Sequence, residues 1–128
     1  MTGDEYKQFA MRTNDGLGYS RMVSKLNELA REDVTYDFTE AVHAALGIAG
    51  EAGEVSDMIK KWIFHDADLD QEHLKKEVGD VLWYIALMCH AFNWSLDDIL
   101  EINIDKLRKR YPYGFDTEKS AHRKEGDV

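Results

Sequence analysis

The sequence predicts an all-α protein, and two observations support this prediction. The single proline stands at position 112, so the first 111 residues lack the strongest helix breaker. Apolar residues recur at steps of three and four, the spacing of an amphipathic helix, whereas the period-two alternation of a β-strand is scarce. We therefore expect a bundle of about five helices.

Five segments of the chain have helical periodicity. Their predicted ranges are residues 4–13, 20–31, 37–64, 70–92 and 95–110. Residues that favour the N-cap position begin the last four segments: Ser20, Asp37, Asp70 and Ser95. Two of these have an acidic residue three positions later, the spacing of a capping box. We expect a link near residues 33–36 between the second and third helices.

The fourth predicted helix is apolar on nearly all sides. Its longest apolar run, residues 81–89, has nine residues, half of what a membrane span needs. Such a helix lies centrally in a bundle or inside a subunit interface, because its faces would otherwise leave a large apolar patch in water. We expect no membrane association, and the first residues lack the basic and apolar regions of a signal peptide.

Length and charge define the class of protein further. The chain has 128 residues, the size of one domain, which we place at residues 1–116 with a polar, mobile tail at residues 117–128. The net charge of −9 argues against nucleic-acid binding, since that depends on Lys and Arg at the phosphate backbone. Cys89 is the only cysteine, which excludes an internal disulfide and fits a cytoplasmic location.

Two pairs of acidic residues are the most informative feature of the sequence. Glu51 and Glu54 lie in the third predicted helix, and Glu77 and Asp80 lie in the fourth. Residues three apart share one face of a helix, so two packed helices would direct four carboxylates into one pocket. Because the four charges repel one another, the cluster is stable only with cations between them. Oxygen ligands without His or Cys favour Mg²⁺, with Mn²⁺ as a substitute.

Apolar residues and glycines surround both pairs, which argues against ordinary surface acids, the alternative for either pair taken alone. Each glycine lowers helix stability by about 1 kcal/mol relative to alanine. Close approach of a neighbouring helix or a ligand would compensate for this cost. The glycines concerned are Gly47, Gly50, Gly53 and Gly79.

These motifs resemble those of the MazG-like nucleoside triphosphate pyrophosphohydrolases, in the all-α pyrophosphohydrolase superfamily. The family motif is ExxE followed by ExxD after a helix and a loop, and here 22 residues separate Glu54 from Glu77. The flanking segments LGIAGEAGEV and KEVGDVLWY match, as does the closing segment NIDKLRKRYP with the Gly-Phe that follows it. The resemblance spans about residues 6–115.

The resemblance implies a Mg²⁺-dependent enzyme that cleaves a nucleoside triphosphate between its α- and β-phosphates, giving a monophosphate and pyrophosphate. The four acids would be the metal ligands, and the ion would neutralise charge that develops on the phosphates. Glu51 or Glu54 would take a proton from the attacking water, and the sequence does not choose between them. A homodimer or homotetramer is implied in part by the resemblance, as is a role in clearing unwanted nucleotides from the cellular pool.

Candidate substrate-binding residues lie on three helices: Lys61, Tyr84, Asn103, Lys106 and Arg110. The last three form one stripe of the fifth helix and are candidates for phosphate or base contacts, with a solvated polar face as the alternative. Lys61 lies about two turns after the first acidic pair, and a solvated lysine is again the alternative. Tyr84 lies one turn after the second pair and matches a position that stacks on the base in some relatives. A core tyrosine is its alternative.

Three other hypotheses fit parts of the sequence. A di-iron carboxylate bundle needs an ExxH motif on each of two helices, and this chain has one, formed by Glu40 and His43. An HD-type metal phosphohydrolase would use His43 with His65 and Asp66, but it leaves the four acids unexplained. A non-catalytic helical oligomerisation or interaction module would use the apolar fourth helix as its interface. Metal-dependent hydrolysis distinguishes that module from an enzyme.

Overall fold

The computed structural model describes residues 1–31, 36–124 and 126, and the regular structure in them is helical throughout. These residues form six α-helices and no strand. The helices are α1 (Gly3–Met11), α2 (Gly18–Arg31), α3 (Phe38–Phe64), α4 (Gln71–Phe92), α5 (Leu96–Arg110) and α6 (Thr117–Ala121). The predicted all-α class is confirmed. Most of the link predicted near residues 33–36 lies outside the described residues.

The ranges predicted for α3, α4 and α5 agree with the structure to within one residue. Asp70 is the N-cap of α4, and its Oδ1 accepts a hydrogen bond of 3.0 Å from the backbone N–H of His73. At the other end of α4, Asn93 adopts a left-handed backbone, and the N–H of Trp94 donates to the carbonyl of Cys89. Ser95 is the N-cap of α5, but its side chain makes no capping hydrogen bond, so the predicted capping box is absent there.

The predicted ranges of the first two helices differ from the structure by two residues, at the end of α1 and at the start of α2. Ser20 does not cap α2, because the helix begins at Gly18 and its first turn is closed by a hydrogen bond from the Arg21 N–H to the Leu17 carbonyl. Helix α1 begins at Gly3 because Thr2 and Glu5 form a reciprocal capping box that the prediction did not use.

The segment after residue 116 begins with a helix that the sequence analysis missed. Asp116 caps α6, and its Oδ1 accepts hydrogen bonds from the N–H groups of Glu118 and Lys119. Five residues are too few to establish an apolar period, so periodicity does not detect a helix of this length.

The chain divides into two compact units, Met1–Phe38 and Thr39–Val128. The first contains α1 and α2, whose described side chains are nowhere buried. An ion pair joins Asp15 in the connecting loop to Arg21 on α2. The second contains nearly all of α3, together with α4, α5 and α6. The two pairs of acidic residues both belong to this second unit.

Helices α3 and α4 run antiparallel, and their contacts define the register. Oε2 of Glu40, near the start of α3, lies 3.5 Å from Nε2 of His90, near the end of α4. Further along, the ring of Tyr84 lies against the α-carbon of Gly47. The buried side chains of these two helices are small, namely Ala41, Ala44, Cys89 and Ala91. The bulky side chains of α3 and α4 therefore remain at least partly exposed in the described part of the chain.

Helix α4 does not occupy the centre of a bundle within this chain. Leu82 and Trp83 remain 58% and 57% exposed, and Val78 is also exposed. These exposed side chains show that a central position is not reached within the described part of the single chain. The other predicted position, inside a subunit interface, stays a prediction. In the part of the chain that is described, none of the helices has both the length and the apolar character needed to cross a bilayer.

Candidate metal centre

The antiparallel pairing of α3 and α4 brings three of the four predicted acids together. Glu51, Glu77 and Asp80 each offer a carboxylate oxygen, and these oxygens lie within 4.8 Å of one another. We refer to these three residues as the carboxylate cluster. Glu51 lies one turn after Gly47 on α3, and Asp80 lies one turn before Tyr84 on α4. The contact between Gly47 and Tyr84 therefore also sets Glu51 beside Asp80.

Glu54, the fourth predicted acid, lies beside the carboxylate cluster rather than in it. It follows Glu51 by three residues, a step of about 4.5 Å along the helix axis. Its side chain is exposed, whereas Glu51 and Glu77 are half-buried. Its charge nevertheless reaches Glu51, because it is one of the charges that raise the pKa of the Glu51 carboxyl. The site has three converging carboxylates and a fourth at its edge.

Electrostatic repulsion within this group of acids makes it a candidate cation site. Partial burial raises the pKa of Glu51, and the negative charges of Asp80, Glu77 and Glu54 raise the same pKa further. A divalent cation among these oxygens would replace the repulsion with attraction. The donor set consists of carboxylates alone, which fits a hard cation such as Mg²⁺ or Mn²⁺. The arrangement therefore forms a cluster able to bind a divalent metal.

His73 contacts the carboxylate cluster and was missed in the sequence analysis. Its Nε2 lies 2.7 Å from Oε1 of Glu77, a hydrogen bond across one turn of α4. The signal available in the sequence was the spacing of four residues between His73 and Glu77, which places the two side chains side by side on a helix.

Tyr84 is half-buried, and its ring contacts residues of α3 and α4. Its ring lies against Gly47, 5.6 Å from the ring of His43 and 4.9 Å from that of Trp83, both measured between centroids. These contacts support a packing role beside the site, and the predicted stacking on a nucleotide base stays a prediction.

The expectation that close packing compensates for the helix glycines holds at one position only. A Cβ at Gly47 would overlap the Tyr84 ring, whereas a Cβ at Gly50, Gly53 or Gly79 would meet no described atom within 4 Å. No neighbouring helix therefore accounts for the last three glycines in the described part of the chain. Approach of a ligand, the other predicted compensation, stays a prediction for them.

Lys61 is held by an ion pair within α3. Both Lys61 and Lys60 pair with Asp57, and these two lysines lower the pKa of the Asp57 carboxyl to about 2. Asp57 raises the pKa of Lys61, and the charge of Glu54 contributes to the same shift. Lys61 is therefore an ion-paired, exposed lysine on the same helix as the first acidic pair. Its predicted contact with a phosphate is untested.

The predicted stripe of Asn103, Lys106 and Arg110 lies on α5, while the carboxylate cluster is built from α3 and α4. Lys106 and Arg110 are half-buried, and Cζ of Arg110 lies 5.9 Å from the centroid of the Tyr111 ring, a cation–π contact. Their contact with substrate stays a prediction.

The described part of the second unit is helical, and acids from two of its antiparallel helices converge in one place. The chain belongs to the MazG nucleotide pyrophosphohydrolase family, whose domain model matches residues 38–115. The match begins where α3 begins and takes in α4, α5 and the segment after them, so the whole carboxylate cluster lies inside it. Helices α1 and α2 lie outside the match.

Comparison with individual proteins adds one relative and no solved structure. The chain is 35% identical over 77 residues to the Gene 37 protein of Mycobacterium phage L5, an alignment that covers 56% of this chain and 67% of the phage protein. No solved structure matches the chain.

Proposed function

We propose that the protein is a Mg²⁺-dependent pyrophosphohydrolase that cleaves a nucleoside triphosphate between its α- and β-phosphates. The products would be a nucleoside monophosphate and pyrophosphate. The observation that carries this proposal is the convergence of Glu51, Glu77 and Asp80 inside the segment that matches a nucleotide pyrophosphohydrolase family. We assign the activity to clearing unwanted nucleotides in the cytoplasm.

The three clustered acids would hold Mg²⁺ or Mn²⁺, with Glu54 completing the set from the edge. When bound, the cation would supply charge neutralisation at the phosphates and make a water easier to deprotonate. Glu51 or Glu54 would accept the proton that the attacking water releases, because both carboxylates lie on the α3 face of the site. The half-buried position of Glu51 and Glu77 limits competition from bulk water for the same oxygens.

Positive and polar groups would hold the remaining charge of the substrate. Lys61 is the candidate on α3, and Asn103, Lys106 and Arg110 are the candidates on α5. The Asp57 ion pair supports a defined position for Lys61. Tyr84 would contact the base from beside the carboxylate cluster.

We further propose that the active form is a homodimer or homotetramer. Exposed apolar side chains on α4 and α5 support this proposal, because single chains in water rarely leave many such residues uncovered. The residues concerned are Val78, Leu82, Trp83, Leu100, Ile102 and Ile104.

The test is pyrophosphate release from a panel of ribo- and deoxyribonucleoside triphosphates, each with Mg²⁺ and with EDTA. We expect release from at least one nucleotide that EDTA abolishes. Asp80→Asn and Glu54→Gln should each abolish release. Glu101→Gln, which removes an exposed carboxylate on α5, is the matched control and should retain full activity. Unchanged release in Asp80→Asn would overturn the assignment of the site.

A further inference from the structure

The Glu77 carboxylate is largely enclosed, and a histidine forms a hydrogen bond with it. Its side chain is 17% exposed, and Oε1 is 2.7 Å from Nε2 of His73, whose own side chain is 55% exposed. A carboxylate only accepts hydrogen bonds, so the proton lies on Nε2 of the imidazole. His73 therefore shields one side of a cluster carboxylate while remaining at the surface itself.

The start of α4 fixes the position from which His73 reaches Glu77. Helix α4 begins at Gln71, and the backbone N–H of His73 donates to Oδ1 of the N-cap Asp70 at 3.0 Å. The backbone of His73 is thus held in the first turn. Side chains four residues apart on a helix lie on the same face, so the imidazole lies directly over Glu77.

The hydrogen bond leaves Glu77 able to bind a cation. An ionised carboxylate has two oxygens and about four lone-pair positions, and one donated hydrogen bond occupies a single position. Fixing the side chain also reduces the conformational entropy that a glutamate loses when it becomes a ligand. Hydrogen bonds to ligating carboxylates are a general feature of metal sites, and losing one typically weakens metal affinity by about 10–100-fold.

We propose that His73 is a positioning residue that holds Glu77 in the carboxylate cluster and thereby raises the affinity of the site for a divalent cation. This inference rests on the proposed function, because it takes the cluster to be the metal site. It goes further by assigning a role to a residue outside the four acids. His73 orients a ligand and does not itself contact the cation.

The experiment measures Mn²⁺ binding to the whole chain, without nucleotide, from the electron paramagnetic resonance signal of free Mn²⁺. We expect His73→Ala to raise the dissociation constant by about 10-fold or more. His73→Gln should restore most of the affinity, because the glutamine Nε2 donates from nearly the same position as the imidazole Nε2. His90→Ala is the matched control, since His90 also lies on α4 but pairs with Glu40 at the other end of the α3–α4 contact. It should bind Mn²⁺ like the unmodified chain.

A second readout separates positioning from a general structural role. In a pyrophosphate-release assay, His73→Ala should require more Mg²⁺ for half-maximal activity, while kcat at saturating Mg²⁺ and the KM for nucleotide stay nearly unchanged. Loss of fold would instead lower kcat at every metal concentration, and thermal unfolding followed by circular dichroism would detect it.

The variants also separate the two proposals. If Asp80→Asn does not weaken Mn²⁺ binding, the carboxylate cluster is not the metal site and the proposed function fails with it. If Asp80→Asn weakens binding and His73→Ala does not, only the role of His73 is wrong. Tighter Mn²⁺ binding in His73→Ala would also overturn the proposed role of His73, because the histidine would then compete with the cation for Glu77. Weak binding in both His73→Ala and His73→Gln would overturn it as well, since it would make the imidazole itself a ligand.

Discussion

At the scale of single residues, the acids of the site oppose folding when no cation is bound. Glu51 is half-buried and close to three other carboxylates, and both conditions raise its pKa. The folded chain then binds a proton at Glu51 more tightly than the unfolded chain does. Stability from this residue is fully present below the ordinary pKa of 4.5 and is lost as the pH rises through the raised value in the folded chain.

Glu51→Gln should therefore stabilise the metal-free protein at pH 7, because it removes one of the repelling charges. The gain should shrink as the pH falls toward 4, where the carboxyl of the unmodified chain is increasingly protonated. Urea unfolding in EDTA at both pH values measures the difference. Glu101→Gln is the control, since it removes a carboxylate outside the cluster, and it should show little effect. A stability loss in Glu51→Gln at pH 7 would contradict the electrostatic account.

Gly47 tests the packing that sets the register of the site. Gly47→Ala would place a methyl group in the Tyr84 ring, and the resulting overpacking should lower the free energy of unfolding by about 1–3 kcal/mol. Gly50→Ala is the matched control on the same helix, because its Cβ meets no described atom, and it should gain up to about 1 kcal/mol from helix propensity. Equal effects of the two substitutions, measured by urea unfolding, would show that Tyr84 does not pack on Gly47.

At the scale of helices, the N-caps explain which boundaries the sequence could predict. Asp70 caps α4 as predicted, and the long apolar periods of α3, α4 and α5 have ends that agree with the structure. The predicted start of α2 was wrong because a serine in the first turn of a helix cannot be distinguished from an N-cap serine by sequence alone. Helix α6 was missed because five residues carry no period.

Asp70→Ala should lower the free energy of unfolding by about 1 kcal/mol, because it leaves a backbone N–H in the first turn of α4 without its partner. Ser95→Ala is the matched control, since Ser95 is also an N-cap but makes no side-chain capping hydrogen bond, and it should have a smaller effect. Urea unfolding of both variants measures the difference. A larger loss in Ser95→Ala than in Asp70→Ala would contradict these cap assignments.

The candidate site could be predicted only in part, because helix spacing gives the face on which a residue lies but not the direction of its side chain. The spacing of Glu77 and Asp80 on one helix fixes their common face, so their proximity followed from the sequence. The position of Glu54 at the edge depends on side-chain directions that spacing alone does not determine. The spacing of His73 and Glu77 permits their contact. A histidine four residues before an acid is common on helix surfaces, however, so this spacing alone does not indicate a functional role.

At the scale of the whole molecule, the exposed apolar residues on α4 and α5 support the proposed oligomer. We expect the chain to sediment at equilibrium as a dimer or tetramer. Leu82→Asp should shift it toward the monomer, because the side chain of Leu82 is 58% exposed on α4 and a buried charge without a partner opposes association.

Gln71→Asp is the matched control for that experiment, since it adds the same charge at an exposed polar position of α4. It should leave the assembly unchanged. A monomeric mass for the unmodified chain at all accessible concentrations would contradict the oligomer.

The most direct test of the central claim is the identity of the products from one nucleoside triphosphate that the protein hydrolyses with Mg²⁺. Phosphorus nuclear magnetic resonance resolves the nucleoside monophosphate, the nucleoside diphosphate, pyrophosphate and orthophosphate in a single sample. We predict equal amounts of monophosphate and pyrophosphate, formed by the unmodified chain and not by Asp80→Asn. Formation of the nucleoside diphosphate and orthophosphate would contradict the account. Formation of the monophosphate and pyrophosphate by Asp80→Asn would contradict it as well.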